Sequence, residues 1–430
     1  MSRNQPRTPS PRKSARLHLR EVAQDIDNEG RDATTLQRSP DQTLRPGPRP
    51  GSKLHEIHDV DAISSPGKRM ADLQLSAEPI MHLSLSSMPA GLPSTVRPLY
   101  RSLRRIATGV GVIPASVKKA ARSRVTKQDN RPLRHNFYTP TLAILEIVTD
   151  VCSTARLWMS ENVNEASWNA LVHCPLLKLA LHPAKDMLGE DENSDSDSDS
   201  DDDNDNNGSG QDAQDAEGLS VYSPVIFWDI TTARPHPDCV PRHIRGDSHE
   251  AKMIDFCITV SDAHIQDAAL RTFNAASSSD AIAPGTRPIG SINHTEHLPL
   301  TRRPISVSIK SKSPNGSPDK ALAQLSIWAA SHFERLRRLR DVKRRELGLV
   351  ASEGSIPMAL PLLLAIGSSW RLYFAVDSDR DIVIVDTIKL GDTDQLVGCY
   401  QVVAALRELA RWTETTFRSW LLENVLLDAT

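Results

Sequence analysis

Two segments of the chain place charged side chains where they can act on a ligand or on one another. In Lys252 to Val260, Ile254, Phe256, Ile258 and Val260 alternate with Met253, Asp255, Cys257 and Thr259. A strand there sends Asp255 out on the face opposite its apolar row. Pro304 to Lys312 repeats the pattern, with Ile305, Val307 and Ile309 inward and Ser306, Ser308, Lys310 and Lys312 outward. If both strands lie in one sheet, an acid and two ammonium groups converge on one polar surface. Lys310 and Lys312, at i and i+2, stand roughly 6 to 7 Å apart. At an effective dielectric of about 20 they repel by about 2 to 3 kcal/mol, and an added dication worsens this unless more carboxylates approach.

Around these strands the chain carries an ordered set of landmarks. They run Glu165-Ala166-Ser167-Trp168-Asn169-Ala170-Leu171-Val172-His173, Thr232-Ala233-Arg234, Lys252-Met253-Ile254-Asp255-Phe256, Asn293-His294-Thr295 and the strand ending in Lys312. Gln324-Leu325-Ser326-Ile327-Trp328, Trp370-Arg371-Leu372-Tyr373-Phe374, Gly391-Asp392-Thr393 and Leu406-Arg407-Glu408-Leu409-Ala410-Arg411-Trp412 follow. In this joint order, from about Arg97 to the C-terminus, the chain resembles a fungal family of the PD-(D/E)XK nuclease superfamily. The resemblance implies an α/β, restriction-endonuclease-like core, a central mixed β-sheet flanked by helices. It also implies site roles: Asp255 and Glu165 hold a magnesium ion, Lys312 orients or polarises the attacking water, and Gln324 lies near the phosphate.

One position departs from the family pattern. Where the third core strand of the family reads Ile-Glu-Thr-Lys, this chain reads Ile309-Lys310-Ser311-Lys312, so a lysine stands in place of the metal-binding glutamate. An ammonium between Asp255 and Glu165 would neutralise the acidic pocket that the metal otherwise neutralises, and hydrolysis would then lack its Lewis acid. The expectation is a degenerate or weakly active nuclease-like protein that could bind DNA or RNA. Two alternatives stand beside it, an active magnesium-dependent phosphodiesterase and a non-enzymatic interaction scaffold.

The net charge of -3 over 430 residues conceals unlike regions. Residues 1–135 carry 24 Lys+Arg against 12 Asp+Glu, with no Trp or Phe and one Tyr. Such a segment buries too little apolar surface to offset its ordering entropy, so residues 1–96 are expected to form a disordered Pro/Ser/Arg-rich tail ahead of a domain over 97–430. Ser10-Pro11, Ser39-Pro40 and Ser65-Pro66 read as sites for proline-directed phosphorylation or simply as polar tail. From Arg97 to Arg134 the basic residues thicken, including Arg101, Arg104, Arg105, Lys118 and Lys119 against the single acid Asp129. Arg104, Arg105, Lys118 and Lys119 are candidates for nucleic-acid phosphates, and the stretch also reads as a nuclear import signal. Leu99, Leu103 and Ile106 have helical spacing, so an amphipathic helix packed on the domain is the other reading.

The acidic run 190–217 reads as a solvated insertion, without the glycine and closing glutamate of a calcium loop. Five cysteines, odd in number and without CxxC spacing, read as reduced thiols of an intracellular protein. Met358 to Ile366 is too short an apolar run to span a membrane. His294 and His297 lack a third zinc ligand. No Ser-His-Asp order, P-loop or dinucleotide glycine motif offers a rival enzyme.

The elements that must position the charged groups follow from periodicity. Helices are predicted over 143–158 and 164–181, the second with Glu165 in its first turn, where an acid also suits the helix dipole. Strands are predicted at 225–231, 252–260 and 306–312, with a loop over 262–290. Ser317-Pro318 starts a helix to about Arg345, with Leu322, Leu325, Trp328, Leu336 and Leu339 on its buried face. Gln324 lies on it, either near the phosphate or simply on the surface. Arg335 to Arg345 reads as a solvated basic helix end or a phosphate-tracking groove. Trp370–Val376 and Ile382–Asp386 form a hairpin, and Gly391-Asp392-Thr393 caps a long terminal helix.

Overall fold

The computed structural model describes residues 70–84, 92–117, 140–182, 224–245, 249, 253–278, 289–350, 354–378 and 380–428, all within the unit Ala62–Thr430. The phosphorylation motifs, Lys118, Lys119 and the acidic run lie outside the described residues.

Alternating and continuous apolar runs become one seven-stranded sheet. Its strands are β1 (Ile80–Ser84), β2 (Val225–Asp229), β3 (Phe256–Val260), β4 (Ile305–Lys312), β5 (Leu360–Ile366), β6 (Ser369–Asp377) and β7 (Ile382–Asp392). Their order is β1-β7-β6-β5-β4-β3-β2. β4 runs parallel to β5 and β1 to β7, while the other neighbours are antiparallel, so the sheet is mixed. The apolar run too short for a membrane is β5, at the centre and buried on both faces, as continuous rather than alternating hydrophobicity demands.

Helices flank the sheet. They are α1 (Met70–Leu73), α2 (Arg97–Ala107), α3 (Pro140–Trp158), α4 (Glu165–Trp168), α5 (Cys174–Leu181), α6 (Ala263–Ser278), α7 (Pro318–Glu346), α8 (Leu396–Trp412) and α9 (Arg418–Asn424). α7 packs on β4, β5 and β6, and α8 on β7, α2, α3 and α5. Single π-helical turns, Asn169–His173 and Thr413–Phe417, continue α4 into α5 and α8 into α9. Each π turn aims a polar side chain at β4: Asn169 meets Ser311 and Thr413 meets Ser306. Among the described residues no helix is long and apolar enough to cross a membrane.

Several expectations are corrected. The described chain joins the fold before Arg97, because β1 pairs with β7 and Glu78 ahead of it binds Arg337 of α7. Arg337 also binds the buried Asp377 at the end of β6, so one guanidinium ties three segments together. The expected loop 262–290 contains α6, which the Asp262 carboxylate starts by accepting from the Ile265 amide, and which buries Ile265, Ala268 and Ala269. Gly391 and Asp392 end β7 rather than cap a helix, and α8 begins at Leu396 after Gln395. The serines expected to face outward on β4 are buried. Ser306 bonds Thr413, and Ser308 accepts from the Trp328 indole.

The basic end of α7 is partly exposed, but most of its side chains are engaged by carbonyl groups of the fold. Arg335 donates to the Ser291 carbonyl, Arg338 to that of Asp238, Arg340 to those of Gly354 and Ser355, and Arg344 to that of Val350. Lys343 holds the carbonyls of Leu422 and Leu426. These side chains satisfy loop and helix-end carbonyls that would otherwise lack partners.

Candidate functional site

Antiparallel pairing of β3 with β4 sets Phe256 opposite Ile309, and the Asp255 amide donates to the Ile309 carbonyl. Asp255 therefore stands beside Lys310 at the edge of the ladder. On the other side Asn164 caps α4 through the Ser167 amide and places Glu165 at the first helical position. A strand pair and a helix start thus bring Asp255, Glu165, Lys310 and Lys312 together.

The ammonium of Lys310 lies between the two carboxylates. Its Nζ donates to Asp255 Oδ1 and Oδ2, each at 2.9 Å, and to Glu165 Oε1 at 3.1 Å. Lys312 Nζ donates to Glu165 Oε2 at 2.6 Å. Asp255 Oδ2 also accepts from the Ser311 amide at 2.6 Å and the Ser311 hydroxyl at 2.9 Å, and that hydroxyl lies 2.6 Å from Asn169 Oδ1. The side chains of Lys310 and Asp255 are only 6% and 5% exposed, against 21% for Lys312 and 30% for Glu165. The cluster is a buried ion pair with a half-open second pair at its mouth.

Burial pulls the Lys310 pKa down, but Asp255 and Glu165 outweigh it and hold the ammonium above its ordinary value. Burial likewise pushes Glu165 up, and the hydrogen bond and charge of Lys312 together with Lys310 bring it below the usual carboxylate range. For Asp255 burial prevails over Lys310 and Ser311, and its pKa is raised. In formal charges, the two carboxyl and two amine side chains of the cluster cancel.

The mouth is shaped by two glycines. A Cβ on Gly316 would lie 2.7 Å from Lys312 Cβ, so the turn after β4 folds against the lysine stem only because that residue is glycine. Gly367, at φ +53°, donates its amide to the Lys312 carbonyl, and a Cβ there would meet Pro314 Cγ at 2.9 Å. Behind Glu165 the same helical run buries Trp168 and His173. The His173 ring lies 6.0 Å from that of Trp168 and 5.2 Å from that of Trp370. Both His173 nitrogens lack partners, and burial, against the pull of Glu165, lowers its pKa to about 3.

The other sequence candidates lie apart from the cluster. Gln324 is half-buried on α7 with Oε1 unbonded, and no hydrogen bond joins it to the four charged groups. Arg104 and Arg105 stand on the exposed face of α2, which buries Leu99, Tyr100 and Leu103, so the amphipathic reading of that helix describes it. His294 is buried and stacked 4.9 Å from His332, away from any third ligand. Ser311 and Asn169 were not singled out in the sequence, although Ser311 gives Asp255 two donors. The amide of Ile230, just past the end of β2, donates to the Asp255 carbonyl.

The donor set decides whether a divalent cation fits. Both oxygens of Asp255 and both of Glu165 already accept from ammonium or serine donors. A dication placed about 3 Å from Lys310 Nζ would be repelled by about 10 kcal/mol at an effective dielectric of about 20. The residues as they stand do not fit magnesium. Among the described residues no group of three or more His, Cys, Asp or Glu side chains is arranged to hold a metal. A family model described as the PD-(D/E)XK nuclease superfamily matches residues 114–418. No curated protein matches the chain.

Proposed function

The chain belongs to the PD-(D/E)XK nuclease superfamily, and from that premise we propose that it is a silenced member in which an internal ammonium stands where the metal would. The single observation that carries this reading is the position of Lys310 Nζ, within 3.1 Å of oxygens on both Asp255 and Glu165. In this reading Asp255 and Glu165 are structural counter-ions, Lys312 holds Glu165 at the mouth, and none of them polarises a phosphodiester. The inherited fold then serves for binding rather than cutting nucleic acid. The basic stretch from Arg97 to Arg134 supports such contact and a nuclear location.

A plasmid-nicking assay over a magnesium series, with the unaltered chain and with Lys310→Glu, tests the proposal. The substitution restores the acid and removes the ammonium. The expected result is no nicking by the unaltered chain at any magnesium concentration, with nicking gained by the variant. Chelator-sensitive nicking by the unaltered chain would overturn the proposal.

A further inference from the structure

Most basic side chains in the described fold close onto a carboxylate or a carbonyl, as along α7. The outer face of α2 differs. Arg101 and Arg104 are exposed and have no ion-pair partner among the described residues, and Arg105 stands beside them. α2 packs against α8, and two contacts fix their relative direction: Gln401 donates to the Ala107 carbonyl, and Glu408 hydrogen-bonds with Ser102. The helices are therefore antiparallel, and Glu408 is the carboxylate facing the arginines of α2. That carboxylate is already engaged by the guanidinium of Arg411, through bonds of 3.0 Å and 2.5 Å, while Arg411 itself remains 64% exposed. Four guanidinium groups thus line one ridge against a single neutralised acid, an excess of three positive charges.

We propose that this ridge of Arg101, Arg104, Arg105 and Arg411 is a binding surface for the phosphate backbone of nucleic acid, separate from the Lys310 pocket. The inference rests on the reading of the chain as a silenced nuclease and names where such a protein would hold its ligand. Helix polarity favours Arg104 and Arg105 in the last turn of α2 only weakly and leaves their N–H donors free. Exposed guanidinium forks pair with phosphate and carboxylate oxygens alike, so the choice of phosphate over an acidic peptide rests on the nuclease fold of the chain, and polyglutamate is the competing arm of the test. The ridge also lies away from the pocket. Thr413, two residues beyond Arg411, bonds Ser306, and from there to Lys312 is about 20 Å along β4 at roughly 3.3 Å per residue. Contacts made there are to backbone only, so binding should ignore base sequence.

Fluorescence anisotropy of a labelled mixed-sequence DNA duplex, titrated with the full chain over a salt series, tests this. The unaltered chain should show log K falling linearly with log salt. Arg101→Gln/Arg104→Gln should bind about tenfold more weakly, with the slope shallower by about two. Lys320→Gln, exposed in the first turn of α7 and outside the ridge, should bind as the unaltered chain does. Matching urea midpoints for all three proteins exclude a folding defect. The proposal is overturned if the duplex does not bind, or if the double variant keeps the original slope. It is equally overturned if Lys320→Gln is the variant that weakens binding, or if the ridge variants lose only binding to phosphatidylserine vesicles or polyglutamate. None of these outcomes bears on the metal question, which the nicking assay decides alone.

Discussion

Replacing Lys310 by methionine removes the ammonium while keeping a long apolar stem, so the cavity contribution is small and the loss is mainly electrostatic. At about 3 Å and an effective dielectric of about 20, each carboxylate contact is worth about 5 kcal/mol before desolvation. Desolvating the ammonium offsets much of that sum. What remains after substitution is Asp255, 5% exposed, with only the two Ser311 donors. Leaving one partner of a buried pair uncompensated costs about 3 to 5 kcal/mol. Urea unfolding at neutral pH should therefore show Lys310→Met destabilised by that amount, with a lower midpoint and an unchanged slope. Adding Asp255→Asn should recover most of the loss, because the unpaired charge is gone. The deficit should also shrink with acid. Without its ammonium Asp255 has a folded pKa raised further, so the folded variant takes up a proton more readily and gains relative stability as pH falls through the carboxylate range. A variant within about 1 kcal/mol of the unaltered chain at neutral pH, with a difference that does not vary with pH, would refute this account of the cluster.

Other outcomes follow from the same contacts. Arg337→Ala strands Asp377, which is buried, and frees Glu78, so amide exchange in β1 should accelerate well before global unfolding. Unchanged protection of Ile80 to Ser84 in a hydrogen-exchange experiment would count against that tie. His173 and His332 are pushed by burial from 6.5 to about 3, and His294 well below 6.5 by burial aided by its neighbours His332 and Arg335. These folded values are depressed, so stability is fully present above 6.5 and is lost as pH falls toward about 3, because only the unfolded chain takes up the protons. Three such groups give about 4 kcal/mol per pH unit well below 6.5, and a urea midpoint that stays flat from pH 7 to 5 would contradict it.

The charged cluster was legible in the sequence because strand alternation has a strict period of two. Once 252–260 and 304–312 read as strands of one sheet, alternation put Asp255 and Lys310 on one face, and the antiparallel register that makes them meet is set by the fold. Glu165 came from the landmark order, since nothing in its own helix start distinguishes a ligand from a dipole partner. Ser311 was hidden because its role combines a backbone amide with a side chain, and alternation alone assigns it to the wrong face. Asn169 was hidden by the π turn that redirects it, which helical spacing does not foresee.

Other elements were illegible for energetic reasons. α6 has five Ala, the strongest helix former, and its signal was masked by averaging it with the Ser-, Pro- and Gly-containing run to Gly290 that follows. It persists because Ile265, Ala268 and Ala269 are buried. β1 is only five residues long, lies in a stretch (70–96) that whole-tail composition averages away, and has its place set by β7 and Arg337 rather than by its own pattern. The arginines of α7 looked like a solvated or phosphate-facing run because sequence cannot show which carbonyls a fold leaves unpaired.

The central claim is that Lys310 occupies the cation position, and isothermal titration of magnesium into the unaltered chain tests it most directly. The account predicts no saturable heat with the unaltered chain and a single saturable site with Lys310→Glu. A stoichiometric magnesium site in the unaltered chain, abolished by Asp255→Asn, would contradict it.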